Sequence, residues 1–157
     1  WMAAEWKSRG RPSLLGLISG AVAGLVAVTP AAGFILPASG VIIGLVSGVV
    51  CFVSVSYVKT KLGYDDSLDA FGVHGVGGII GALLTAVFAT SAVTGSELPT
   101  MGVQFGIQAM SVVATLFYGG VMSAVILWVI KRTMGLRVTR EEELTGLDLA
   151  IHGERIE

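Results

Sequence analysis

The chain has 157 residues, a mean hydropathy of +0.82, 13% charged side chains and a formal net charge of −1. Soluble domains carry roughly 25% charged residues, so this composition excludes a water-soluble globule, and without a basic stripe nothing supports a nucleic-acid binder. Cys51 is the one cysteine, which excludes an intrachain disulfide and a thiolate metal site.

The charges are segregated. Ser13 to Val58 contains none, and Ala70 to Ile130 contains only Glu97. Several apolar spans joined by short polar connections follow, an all-α polytopic membrane protein that lies across a lipid bilayer. Trp1 to Trp6 has the character of an interfacial helix end, and Glu5 to Pro12 that of a polar connection. Pro12 and Ser13 open the first complete span, expected over 13–29, since proline is tolerated where the first N–H groups have no partner. It carries Gly16, Gly20 and Gly24 at the spacing that lets helices approach closely.

Thr29-Pro30-Ala31-Ala32-Gly33 ends that span, and an uncharged break runs to Pro37, compatible with an emerging loop or a turn that dips back into protein. The second span is expected over 38–58, with Gly40, Gly44 and Gly48 repeating the glycine spacing. Lys59, Lys61 and Gly63 close it. Asp65 or Asp66 is placed to cap the third span, 69–90, with Asp69 one turn inside, where a carboxylate favours the positive end of the helix dipole. His74 is the only ionisable side chain from Ala70 to Thr90. An imidazole at membrane depth is a functional candidate by default, against the plain alternative of a buried histidine satisfied by a neighbouring helix. Gly77, Gly78 and Gly81 follow it at helical spacing and are expected to serve packing. A polar loop over 91–101 precedes the fourth span, 104–130, which Lys131 and Arg132 stop.

Lysine and arginine counts in the successive connections are three, zero, two, zero and five. That alternation places Glu5–Pro12, Lys59–Leu68 and the C-terminal tail in the cytoplasm, and His74 in the inner half of the bilayer. Residues 1–134 then form the transmembrane region and 135–157 the cytoplasmic tail.

Three ordered stretches resemble the ammonium transporter/Rhesus-type channel family, specifically its bacterial and plant branch. They are Asp65 to Gly78, Thr29-Pro30-Ala31-Ala32-Gly33, and the tail segments Gly135-Leu136-Arg137-Val138, Gly146-Leu147-Asp148 and His152-Gly153-Glu154. The resemblance covers essentially the whole chain. It implies an eleven-helix fold of two inverted repeats, assembled as a homotrimer in the cell (inner) membrane, of which this chain matches the eighth to eleventh helices. It also implies transport of ammonium or ammonia through a hydrophobic pore. His74 would supply the inner of two pore histidines, the other lying outside this chain.

By helical proximity alone Val73 and Ala70 are expected beside His74, and Phe71 is grouped with them at the pore, rather as a core residue than a gate. Asp66 and Asp69 are expected as helix-end structure at the inner mouth. Gly146, Leu147, Asp148, His152 and Gly153 would form a docking tail for a PII-type signal protein, the alternative being a solvated terminus. No cofactor or metal is implied, and no convergent nucleophile, base or metal set suggests an enzyme. An ammonium sensor and a non-conducting assembly fragment are the competing readings.

Overall fold

A computed structural model describes residues 1–154 and divides them into two units, one ending at Val113 and one beginning at Ala114. Among the described residues all regular structure is helical: α1 (Met2–Arg9), α2 (Leu14–Val28), α3 (Pro37–Val53), α4 (Lys59–Leu62), α5 (Val76–Phe88), α6 (Ser91–Thr94), α7 (Met101–Thr133) and α8 (Arg140–Thr145). Four continuous helical runs are long and apolar enough to cross a membrane: Leu14–Ala31, Pro37–Leu62, Phe71–Phe88 and Met101–Thr133.

α1 continues through the stretch expected as a connection, as far as Arg9. Gly10 then reverses the chain in the left-handed region (φ 75°), with its N–H bonded back to Trp6. Glu5 explains why the polar sequence stays helical. Its carboxylate accepts the Ser13 N–H and hydroxyl, each at 3.0 Å, and the Arg9 guanidinium at 3.2 Å, so it is buried yet satisfied. Ser13 in turn caps α2 by accepting the Gly16 N–H at 2.9 Å.

The first three spans pack on one another through small residues. A Cβ placed on Gly24 would lie 3.6 Å from the Gly44 Cα, which marks the point where α2 and α3 cross, backbone against backbone. Gly20 and Gly48 both receive Trp1, and Trp1 meets the Phe52 ring edge-on at 5.7 Å. The glycine spacing therefore makes room for Trp1, its Cβ at Gly20 and its backbone nitrogen at Gly48, as well as for the α2–α3 crossing. Two buried clusters fill the bundle. One is Ala23, Cys51 and Val73, and the other is Ala27, Ala31 and Ile43. The Ser47 hydroxyl donates to the Ala23 carbonyl at 2.9 Å, which satisfies a buried polar group between the first two spans.

Three of the four spans are not uniformly α-helical, and Thr29–Ala31 at the end of the first is a 3-10 turn. Ser54–Val58 and Phe71–Gly75 are π-turns, in which the N–H bonds five residues back. Gly72 sits where they meet: a Cβ there would come 2.6 Å from Val55 Cγ2.

No residue of α7 is buried. Near its end Arg132 lies over the Trp128 ring at 5.4 Å, an apolar body and charged head suited to a membrane–water boundary. In the second unit Thr139 and Glu142 form a reciprocal capping box at the start of α8. Gly146 (φ 94°) and Gly153 (φ 68°) bracket a further π-turn, Asp148–His152.

Candidate functional site

The start of the third span is fixed by one carboxylate. Asp66 accepts the Ala70 N–H at 2.8 Å and the Phe71 N–H at 3.0 Å, so both oxygens satisfy orphan donors of the helix end. Asp69 corrects the sequence expectation. It lies before the helix with φ 55°, the one non-glycine residue in the left-handed region among those described, and not one turn inside. Its carboxylate accepts Lys59 Nζ at 2.7 Å, and Lys59 also donates to the Asp66 carbonyl. A lysine at the end of the second span therefore ties down the entry to the third. Aspartate tolerates this backbone better than most residues because its side chain is short and polar.

The π-turn then distributes the side chains. Gly72 and Val73 are buried, Val73 against Ala23 and Cys51, and the Cys51 thiol donates to the Val73 carbonyl at 3.8 Å. Val73 therefore corrects a second expectation: it packs inward and does not line the space beside His74. Adjacent residues on a helix diverge by about 100°, so a buried Val73 turns His74 outward. Ala70 is exposed at the helix start. Phe71 is 52% exposed, with its ring laid back toward Gly75 and edge-on to Tyr64 at 6.0 Å, so it is not a core residue within this chain. The Tyr64 hydroxyl is buried without a hydrogen-bond partner among the described residues.

His74 is exposed and opens onto a cleft of about 430 Å³ lined by Val26, Thr29, Pro30, His74 and Gly78. Its imidazole makes no hydrogen bond among the described residues, which removes the alternative of a histidine satisfied by a neighbouring helix of this unit. The walls are apolar apart from Thr29. That hydroxyl donates to the Leu25 carbonyl at 2.7 Å, which leaves it only acceptor capacity.

The three glycines separate. Gly77 packs on Val26, Cys51 and Ser47, and Gly81 on the Ala27 backbone, whereas Gly78 meets nothing within 4 Å and lines the cleft with His74. Sequence reasoning missed Val26, Thr29 and Pro30 as neighbours of His74. Thr29-Pro30 carries a signal, but for a helix end. In the second unit Gly146, Leu147, Asp148, His152 and Gly153 form one compact turn, with the Glu154 N–H bonded to the Asp148 carbonyl at 3.1 Å. Among the described residues no cluster of His, Cys, Asp and Glu is arranged to hold a metal.

The sequence matches the Ammonium Transporter Family over residues 1–156. It is 48% identical to an ammonium transporter of Aquifex aeolicus, over 99% of this chain and 37% of that protein. It is 44% identical to an ammonium transporter of Bacillus subtilis, over 99% of this chain and 39% of the relative. The chain thus spans well under half the length of these relatives. Among solved structures it resembles Candida albicans Mep2, with a TM-score of 0.81 and 33% identity, over 90% of this chain and 33% of that one.

Proposed function

The chain belongs to the ammonium transporter family, a family of transporters and not of enzymes, and we propose that it supplies the inner half of an ammonium/ammonia pathway with His74 as the pore-lining residue. One observation carries this reading: an imidazole with no hydrogen-bond partner among the described residues opens onto an apolar cleft from a helix long and apolar enough to cross a membrane, where an ionisable side chain is a functional candidate.

The chemistry follows from the walls. A full ammonium charge in a hydrophobic lumen is expensive, and Val26, Pro30 and Gly78 offer no substitute for its water shell. The proton and the ammonia are therefore best moved apart. A neutral imidazole offers one donor and one acceptor, so it holds ammonia by either role, and in contact with a second imidazole it passes a proton on. That second histidine lies outside this chain. Val73 supports the site from behind, Asp66 fixes where its helix begins, and Asp69 with Lys59 closes the neighbouring loop.

The relatives' chains are well over twice as long as the part matched here, which leaves room for the other helices of an eleven-helix homotrimer in the inner membrane, with residues 135–157 as a cytoplasmic tail. The surface of α7, none of whose residues is buried, suits partners beyond this chain. The exposed leucines Leu144 and Leu147, beside the turn that carries Asp148, His152 and Gly153, suit the tail to docking a PII-type signal protein.

Ammonium-triggered current in proteoliposomes tests the proposal. His74→Ala should abolish or convert the current while the protein still assembles. An unchanged current in that variant would falsify the role of His74.

A further inference from the structure

The two π-turns lie in different spans and pack on each other, and His74 belongs to one of them. Resting on the reading of His74 as the pore residue, we infer that the contact between Gly72 and Val55 is a positioning device that sets the direction of the imidazole. A π-turn places an extra residue in the helix, which rotates everything before it relative to everything after; such turns are frequent at functional sites. Here the rotation falls between the packed residues Gly77 and Gly81 and the cap at Asp66. It presents Val73 to the core and His74 to the cleft.

What holds the turn in place is close fit on both sides of His74. A Cβ on Gly72 would meet Val55 Cγ2 at 2.6 Å and Ser54 Oγ at 3.6 Å, both from the facing π-turn. A Cβ on Gly75 would meet the Phe71 ring at 2.8 Å. The facing turn is itself anchored, because Arg9 donates to Ser56 Oγ at 3.1 Å while its other nitrogen holds the buried Glu5 carboxylate. Glu5, Arg9 and Ser56, with Val55 next to Ser56 in the same π-turn and against Gly72, thus connect α1 to the turn that carries His74. Gly72 and Val55 touch no solute; they act through the imidazole.

Gly72→Ala overfills the contact and Val55→Ala empties it, so the two variants press on it from opposite sides. Current is measured in proteoliposomes as a function of ammonium concentration and of pH. Each single variant should lower the maximal current by about tenfold, as expected when a working group shifts by a fraction of an ångström. Each should also displace the pH profile, and the double variant should recover both. Single variants with parental current and pH profile overturn the inference, as do losses that merely add in the double variant. If Gly72→Ala alone gives no folded protein, the double variant decides: recovered folding with the parental pH profile supports the device, and any other result overturns it. His74→Ala measured alongside separates the two claims. Full current there removes the pore reading itself, whereas a dead His74→Ala beside a parental Gly72→Ala removes only the positioning role.

Discussion

Gly77 and Gly78 are neighbours in the chain and opposites in surroundings. Gly77 is enclosed by Val26, Cys51 and Ser47, and Gly78 faces open space beside His74. The same division runs along the whole third span, with Val73, Gly77, Gly81 and Thr85 on the buried side and His74 with Gly78 on the open one. Glycine therefore does two different jobs within a few residues. On one side it lets backbones close on each other; on the other it keeps a wall low next to an imidazole. Composition cannot separate these jobs, but substitution can.

The largest effect is expected at Gly81. A Cβ there would run into the Ala27 carbonyl oxygen and the backbone around it, which cannot move aside as a side chain tip can. Gly81→Ala should cost about 3 kcal/mol, at the upper end for overpacking a fitted interface, seen as a lowered unfolding temperature in detergent. Gly78→Ala should stay within about 0.5 kcal/mol of the parent and yet reduce ammonium-triggered current, because its methyl group enters the His74 cleft. Equal stability losses at the two positions would erase the distinction between the faces.

Gly77→Ala should fall between them. Its Cβ would sit 3.3 Å from Val26 Cγ1 and 3.5 Å from Cys51 Sγ, both side-chain atoms with some freedom. About 1 kcal/mol is expected, with less effect on current than Gly78→Ala. A larger loss of current than of stability would place Gly77 on the open face after all. Asp66→Ala removes the acceptor for two helix-end N–H groups and should also cost about 1 kcal/mol. Because the cap lies one turn before the π-turn, this variant tests whether the helix start helps decide which face His74 occupies. Faster hydrogen exchange confined to Ala70 and Phe71 would mean that it does not.

The comparison also shows what the sequence disclosed. Segregated charge is enough to find four spans, because an uncharged run long enough to cross a bilayer has no polar face to turn toward water. The aspartate cap is legible because the residue type and the position before an apolar run coincide at Asp66. The direction of Val73 is not. A π-turn has no residue signature, and one extra residue per turn rotates a side chain from cleft to core. Asp69 escapes sequence reasoning for a related reason: nothing in its identity announces a left-handed backbone. Glu5 passes for part of a polar connection because its partners, Ser13 and Arg9, are brought to it only by the helical turn of α1 and the reversal at Gly10.

The tail supplies the smallest prediction and the control for all the others, since α8 has no buried residue and its order rests on local bonds. Glu142 accepts the Thr139 hydroxyl and the Thr139 N–H, each at 2.7 Å, and these bonds hold its carboxyl below the ordinary carboxylate range. Glu143 is also lowered, by Arg137. A group with a depressed folded value contributes stability at pH above its ordinary value and loses it as pH falls through the depressed one. The Thr139 amide should therefore stay protected from hydrogen exchange near neutrality and lose protection only as pH falls below the ordinary carboxylate range. Glu142→Gln keeps an acceptor for that amide but removes the titration, so its protection should no longer depend on pH. Glu143 and Arg137 remain in both proteins and leave the difference between them intact. The same loss of protection with acid in Glu142→Gln would mean that the capping box does not order this helix. Current should be unaffected by this substitution if the open face of the third span alone conducts, whereas a shifted current would tie the tail to the pore.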